Sequence, residues 1–417
     1  MEWSRSAKRR KGTPLKICDV TQFYSPRSGG VRRYLGEKQE YVRDRTEDEH
    51  YLIVPGEQTS YRSEGRTHVL AIASPKVDRT SRYRILCNVS LVRSMLRDIR
   101  PDVIESGDPY HLAWTALRGA SELGIPAVSF YHSHFPDAYL RTACRFGGPF
   151  IEELVLASAR RYIVRLYSRF RYTFVPSITL RKLLNGWGLT NTIPIRLGVD
   201  AETFCPGPVD RAWREELAIP EQAFLLLYVG RLAREKNISV LLHAFRVLRA
   251  SRRLDYRLLV VGDGPLRKQV QRLQAETDAV IWRPYIEKKV ELRRCYRAAD
   301  LFVHPGVVET FGLVAVESQA CGCPVIGIRG TNMDDHIHAG LDLWARSNSA
   351  EELARAIDES TDKDLPQIGL CASKRTREIY HWPNVFAELW RYYRSAIGGT
   401  NPPDLSAALP LEGAREG

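Results

Sequence analysis

The chain's 417 residues suffice for two domains with separate cores, and 44% hydrophobic beside 26% charged residues is a soluble globular composition, neither disordered nor collagenous. No stretch reaches the roughly 18 to 20 apolar residues that span a bilayer, and no apolar segment follows the basic N-terminus, so a cytoplasmic location is expected. The net charge of +12 is unevenly placed, with 32 Lys and Arg against 21 Asp and Glu in residues 1–205 and 29 against 28 in the remainder. A basic half of this kind attracts polyanions; no zinc-finger, RNP or basic-zipper pattern accompanies it, so an anionic membrane surface is the expected partner and nucleic acid is not.

Residues 1–14 are polar and basic and are expected to be disordered. From residue 15, LKICDVTQFY predicts a first strand that ends in the glycine loop SPRSGG (25–30), and VRRYLGEKQEYV then has helical spacing. YLIV (51–54), HVLAI (68–72), DVIES (102–106) and AVSFYH (127–132) are further strand-like runs with helical stretches between several of them. Strands alternating with helices predict a parallel sheet covered on both faces, here a first domain over 15–205. Within it, IEELVLASARRYIVRLYSRFRYTF (151–174) interleaves Arg160, Arg161, Arg165, Arg169 and Arg171 with Tyr162, Tyr167, Phe170 and Tyr172. Such a helix can lie on an anionic bilayer, and an ordinary amphipathic surface helix can look the same.

TFVPSITLRKLL (173–184) and the Pro- and Gly-containing IPIRLGVDAETFCPGPVD (193–210) read as the connection between domains, with the boundary near Pro206. The alternation then restarts with FLLLYVGRL (224–232), RLLVVGDG (257–264), AVIWRPYI (279–286), DLFVHP (300–305) and PVIGI (324–328), a second domain over 206–380. A separate amphipathic helix is expected at 381–397, and the Gly-, Pro- and Ala-rich residues 398–417 read as an unstructured tail. The fold class is therefore α/β, two Rossmann-like doubly wound domains. The eight cysteines are scattered without a CxxC pair and are expected to be buried free thiols.

The run FVHPGVVETFGLVAVESQACGCPVIGIRGTN (302–332) sets Glu309 on a loop after a strand and Glu317 in the first turn of the next helix, around Phe311, Gly312 and Leu313. Free amides at a helix start suit phosphate oxygens, and carboxylates, which only accept hydrogen bonds, suit a hexose or a ribose. Glu317 alone could equally be a residue stabilised by the helix dipole. Gly29 and Gly30 follow the first strand and open a helix, where a doubly wound sheet binds phosphates, although a GG pair is also an ordinary turn. Arg231 and Lys236 follow the first strand of the second series and could neutralise a diphosphate, or be two solvated cations. His132 ends a strand and lines the expected groove; His134 lies too close to it for helical zinc ligation, so no metal site is expected.

With these residues in place, the chain resembles the retaining glycosyltransferases of family 4, whose two-Rossmann architecture is called GT-B. The resemblance covers roughly residues 15–397. Its specific part is the E-x7-E element from Glu309 to Glu317; GGV (29–31), VGRLAREKN (229–237), VGDGPL (261–266) and LGVDAETF (197–204) support it. It implies an acceptor-binding first domain, a donor-binding second domain, and a terminal helix with Trp382 that crosses back to the first. Glu317 would then bind the ribose and Glu309 the donor hexose. Phe311, Gly312 and Leu313 would offer amides to sugar and phosphate, Arg231 and Lys236 would pair with the diphosphate, Gly29 and Gly30 would meet it from the opposite domain, and His132 would sit near the anomeric carbon.

The implied activity is metal-independent, cofactor-free transfer of a hexose from a UDP- or GDP-sugar to a lipid or glycan acceptor, by a peripheral protein of the inner membrane face. The HSHFPDAYLR segment (132–141) is most similar to the branch that transfers mannosyl or sulfoquinovosyl groups to lipids. Gly306, where the family often has serine, and Asn332-Met333-Asp334, in place of a glycine-rich turn, depart from the pattern. A sugar-nucleotide epimerase of the same shape, or a transferase with a soluble acceptor, is the alternative.

Overall fold

The computed structural model describes residues 13–22, 24, 29–77, 83–132, 148–338 and 343–400. The basic residues 1–12, residues 25–28 of the glycine loop, the segment 133–147 with His134, and the tail from 401 lie outside the described residues.

The first sheet contains β1 (Lys16–Val20), β2 (Glu49–Gly56), β3 (Ser60–Glu64), β4 (Thr67–Ala73), β5 (Val103–Ser106), β6 (Ala127–Phe130), β7 (Thr173–Val175) and β8 (Thr192–Pro194). Their order is β3-β4-β2-β1-β5-β6-β7-β8, parallel throughout except for the β3–β4 hairpin at one edge. The connections carry α1 (Gly30–Arg45), α2 (Val89–Ile99), α3 (His111–Leu123), α4 (Gly148–Tyr167) and α5 (Ile178–Gly186). The central strands are buried along almost their whole length because helices cover both faces, which is why they read as continuous apolar runs.

The second sheet contains β9 (Phe224–Val229), β10 (Tyr256–Val261), β11 (Val280–Arg283), β12 (Leu301–Val303), β13 (Val325–Ile328) and β14 (Trp344–Ala345), in the order β11-β10-β9-β12-β13-β14. Renumbered within the domain this is 3-2-1-4-5-6, the order whose reversal point opens a ligand crevice at the carboxyl ends of the strands. Its helices are α6 (Arg211–Glu216), α7 (Ile238–Ser251), α8 (Arg267–Glu276), α9 (Lys289–Ala298), α10 (Leu313–Ala320), α11 (Ala350–Ser360) and α12 (Leu365–Tyr380), followed by α13 (Trp382–Gly398).

Several expectations need correction. Residues 173–175 and 192–194 are strands of the first sheet and not part of the connection; their three-residue length and the intervening prolines hid them. In the 151–174 stretch the helix stops at Tyr167, and Tyr167, Phe170 and Tyr172 point into the core instead of lining one outward face. Cys87 and Cys371 are exposed, while Cys18, Cys295, Cys321 and Cys323 are buried as free thiols. Thr400, placed in the expected tail, has its carbonyl held by the Tyr172 hydroxyl at 3.3 Å.

α13 lies against α1 of the first domain. Trp382 and Phe386 stack at 5.0 Å, Tyr41 meets Trp390 edge-on at 5.1 Å, and the Trp390 indole N–H donates to the buried Asp48 at 2.6 Å. Beneath it, the wholly buried Lys38 ammonium of α1 sits 2.8 Å from both Asp19 oxygens of β1 and 3.3 Å from Glu105 of β5. Glu105 in turn accepts from the hydroxyls of Tyr34, at 2.9 Å, and of Tyr393 on α13, at 2.5 Å. A buried ammonium needs this degree of pairing, so the network fixes α1 and α13 on the sheet in one orientation.

The chain passes between the domains twice, and the two passages are joined. Val199 N–H donates to the Tyr380 carbonyl at 2.6 Å, and Trp382 N–H donates back to Val199 at 3.3 Å. Gly198 lies flat on the Trp382 ring, where a Cβ would stand 2.3 Å from the ring carbon Cδ2. Gly198→Ala should therefore displace Trp382 and lower stability by about 1–3 kcal/mol. Denaturant unfolding followed by tryptophan fluorescence checks this, and an unchanged midpoint would contradict the packing.

Candidate active site between the two sheets

Helix α1 follows β1 after residues 21–29, and α10 follows β12 after residues 304–312, so each helix is entered from the carboxyl end of a strand. Gly29 and Gly312 are their N-cap positions, and neither supplies a side-chain cap to the helix it opens. The two starts face each other: a Cβ on Gly30 would stand 3.3 Å from Leu313 Cδ1. The contact continues one turn along each helix, where Arg33 pairs with Glu317, and a turn further on α1, where Glu37 accepts from Lys289 of α9 at 2.7 Å. Spacings of three and four residues keep Gly30, Arg33 and Glu37 on one face of α1, and Leu313 and Glu317 on one face of α10. The uncapped amides and positive ends of both helices thus converge on one region, an arrangement suited to an anion.

Glu317 is the fifth residue of α10, not part of its first turn. The dipole explanation of its charge therefore weakens, since that effect fades within a turn. Its carboxylate is buried, with Arg33 on Oε1 and the Tyr296 hydroxyl 3.0 Å from Oε2.

Glu309 lies on the loop before α10 and pairs with Lys236, which ends the short 3₁₀ turn Arg234–Lys236 after β9. Burial, the largest influence, would push the Glu309 carboxyl up, but Lys236, His304 and the Thr310 amide together outweigh it and hold the carboxyl below its ordinary value. The two loops are stitched together by Asn237, whose amide donates to the Pro305 carbonyl at 2.8 Å. Asn332 Nδ2 donates to the Glu309 carbonyl at 2.6 Å, so a residue that departs from the family pattern shapes the loop. Gly312 has φ of 78°, and a Cβ there would lie 2.7 Å from Met333 Sδ, so its neighbour's size and its own conformation both demand glycine. Phe311 is buried beneath the loop, its ring 4.3 Å from that of His336.

His132 follows β6 in the first domain, and its carbonyl accepts from Thr310 Oγ1 at 3.0 Å, so the Glu309 loop touches it directly. Its ring stacks on Phe130 at 4.4 Å. Burial, reinforced by the Lys38 ammonium, pushes the imidazole down to about 3. His304, at the end of β12, comes 3.9 Å from Glu309 Oε1 and is pushed down to about 4 by burial, Lys236 adding to the effect against Glu309. Both rings are therefore neutral near pH 7 and can act as hydrogen-bonding groups.

The expected residues are thus partly assembled. Gly29, Gly30, Gly312, Leu313 and Glu317 meet at the helix starts, and Lys236, Glu309 and His132 meet around the Glu309–Thr310 loop. Arg231 is not drawn in: it is exposed and lies 3.5 Å from Glu235, four residues along its own chain. Arg33, Tyr296, His304 and Thr310 were not singled out in the sequence, and Asn332 only as a departure from the family pattern. Only Arg33 had a legible signal, three residues after Gly30 on the same helical face.

The family description "Glycosyl transferases group 1" matches residues 209–367, and "Glycosyltransferase Family 4" matches residues 28–203. The chain is similar to the GDP-mannose-dependent alpha-(1-6)-phosphatidylinositol dimannoside mannosyltransferase of Mycobacterium tuberculosis, with 30% identity over 90% of this chain and 95% of that protein. It is also 30% identical to sulfoquinovosyl transferase SQD2 of Arabidopsis thaliana, over 58% of this chain and 46% of that one. In three dimensions it resembles sucrose-phosphate synthase from Thermosynechococcus elongatus, with a TM-score of 0.74 and 18% identity over 93% of this chain and all of that one. The fold is GT-B, and the chain belongs to glycosyltransferase family 4.

Proposed function

We propose that the protein is a retaining, metal-independent hexosyltransferase that takes mannose from GDP-mannose and delivers it to a lipid-linked acceptor. The observation that carries this reading is the pair of facing, uncapped helix starts at Gly30 and Leu313, flanked by Lys236–Glu309 on one side and Glu317 on the other. The diphosphate fits between the helix starts and Lys236. Glu317 would accept from the ribose and Glu309 from the hexose. GDP-mannose and a phosphatidylinositol-based acceptor are favoured by the relative that is matched over nearly its whole length.

In the reaction, the bond from the anomeric carbon to the phosphate oxygen breaks and its electron pair stays on the diphosphate. The acceptor oxygen bonds to the anomeric carbon on the same face, and its proton passes to a phosphate oxygen. Preorganised amides and Lys236 favour the charge that grows on the leaving group. His132, neutral at working pH, would orient hydroxyls beside the reacting carbon and not serve as the base.

The lipid-facing surface expected on 151–174 would centre on the start of α4, where Phe150, Ile151 and Leu154 are exposed. Three large apolar side chains at one helix end, with Arg160 and Arg161 further along, suit attachment to an anionic bilayer. Among the described residues no helix is long and apolar enough to cross one.

Glu309→Gln should cut mannosyl transfer by about 10²-fold or more while leaving the fold intact, as loss of a preorganised polar contact does; unchanged turnover would remove Glu309 from the site. GDP should raise the melting temperature more than UDP. GDP released only in the presence of acceptor separates a transferase from an epimerase. Because His132 is held neutral down to about pH 3, the kcat/KM profile between pH 5 and 8 should carry no limb that His132→Gln abolishes. Replacing Phe150, Ile151 and Leu154 together by serine should weaken co-sedimentation with phosphatidylinositol vesicles by at least about tenfold. Unaltered binding would place the membrane contact elsewhere.

A further inference from the structure

The carboxylate expected to hold the ribose is only 2% exposed, closed off by two neighbours. One Glu317 oxygen accepts from Tyr296 at 3.0 Å and the other is paired with Arg33 of the opposite domain. A ribose diol can therefore reach Glu317 only if one of the two partners gives way. Tyr296 is fully buried, packed between Phe204 at 6.0 Å and Phe302 at 5.9 Å, and cannot turn aside. Arg33 keeps about a quarter of its side chain exposed (24%) and stands at the edge of the gap on a long, flexible stem. One turn from it, toward the N-terminus of α1, lies the meeting point of the two uncapped helix starts.

An arginine at this position solves two problems at different moments. In the empty site a buried carboxylate without a cation would be costly, and Arg33 removes that cost while tying the domains together. In the filled site the ribose hydroxyls supply hydrogen bonds to Glu317, and the freed guanidinium, a planar fork, finds a doubly charged diphosphate within one helical turn.

Resting on the nucleotide-sugar reading above, we propose that Arg33 exchanges partners with the donor. It neutralises Glu317 in the empty enzyme, is displaced by the ribose, and then binds the diphosphate, where it counters the charge that the leaving group gains.

This exchange has a signature that neither a simple latch nor a simple phosphate ligand shares. Guanosine competes with Arg33 for Glu317 but offers it no phosphate; GDP does both. In the full-length protein, titration calorimetry should find that Arg33→Met binds guanosine about three- to tenfold more tightly than the native chain and GDP about tenfold more weakly, a charge-assisted fork having been lost. UDP and uridine run in parallel cover the other base. Arg33→Lys, which keeps the charge and loses the fork, should shift both affinities in the same directions by less, and it carries the test should the methionine variant fail to fold. If guanosine and GDP both tighten, Arg33 is only a latch; if both weaken, it is structural or a ligand in both states. Either result overturns the exchange. If the native chain binds neither GDP nor UDP, the nucleotide-sugar reading itself falls, a result distinct from either.

Discussion

Everything at the centre of this molecule depends on one face of α1 lying against the second domain. Gly30, Arg33 and Glu37 each meet a residue of that domain, through contact, ion pair and hydrogen bond respectively. The first contact is tight, because a Cβ at Gly30 would press on Leu313 at 3.3 Å. That close approach brings two helix starts together, and their free amides are the physical basis of the proposed anion site. α1 can hold this position because its other face is anchored: Lys38 is bound to Asp19 and Glu105, and Glu105 is bound in turn to Tyr393 of the crossing helix.

The electrostatics follow one rule on both sides of the gap. Each buried or half-buried charge near the site has a partner of opposite sign that comes from another element. Lys236 meets Glu309 from a different loop, Arg33 meets Glu317 from a different domain, and Lys289 meets both Glu37 and Asp200 across the connection. Pairs of this type contribute little net stability, since desolvation offsets most of the attraction. What they provide is registration, and they provide it with partners that a polyhydroxylated anion could replace. A site meant to receive phosphates and sugar hydroxyls can be kept filled by the protein's own cations and carboxylates until the ligand arrives.

Much of this was legible in the sequence. The order of apolar runs disclosed two doubly wound sheets because buried parallel strands have no polar alternation to confuse with anything else. The glutamate pair and the glycines were legible because their roles depend on local backbone, on a loop, a turn or a helix start. Long-range features were not. β7 and β8 are too short to stand out beside prolines, and the hydrophobic side of Tyr167, Phe170 and Tyr172 could not be told from an interfacial face without knowing what lay behind it. Arg231 looked like a partner for Lys236 because they share a loop, but the turn between them sends only Lys236 toward Glu309. Arg33 was overlooked for the converse reason, its partner lying 284 residues away in sequence.

The position of the two chain passages bears on how such a site could open. They lie side by side, joined by hydrogen bonds between Val199 and the segment from Tyr380 to Trp382 and by the packing of Gly198 on Trp382. That junction is hydrogen-bonded and close-packed, and the chain runs through it twice. Beside Gly30 on Leu313, the contacts across the gap among the described residues include polar pairs: Thr310 to the His132 carbonyl, Asp335 to the Thr179 amide at 2.8 Å, Arg32 to Glu287, Lys289 to Glu37, and Arg33 to Glu317. Water can replace each of these at modest cost, whereas it cannot replace Trp382 on Gly198. Relative motion of the domains would therefore turn about the Val199–Trp382 junction and be felt first at the α1–α10 face. The proposed donor site lies where these exchangeable contacts gather, so binding of one anion there would be able to alter the relation between two large domains.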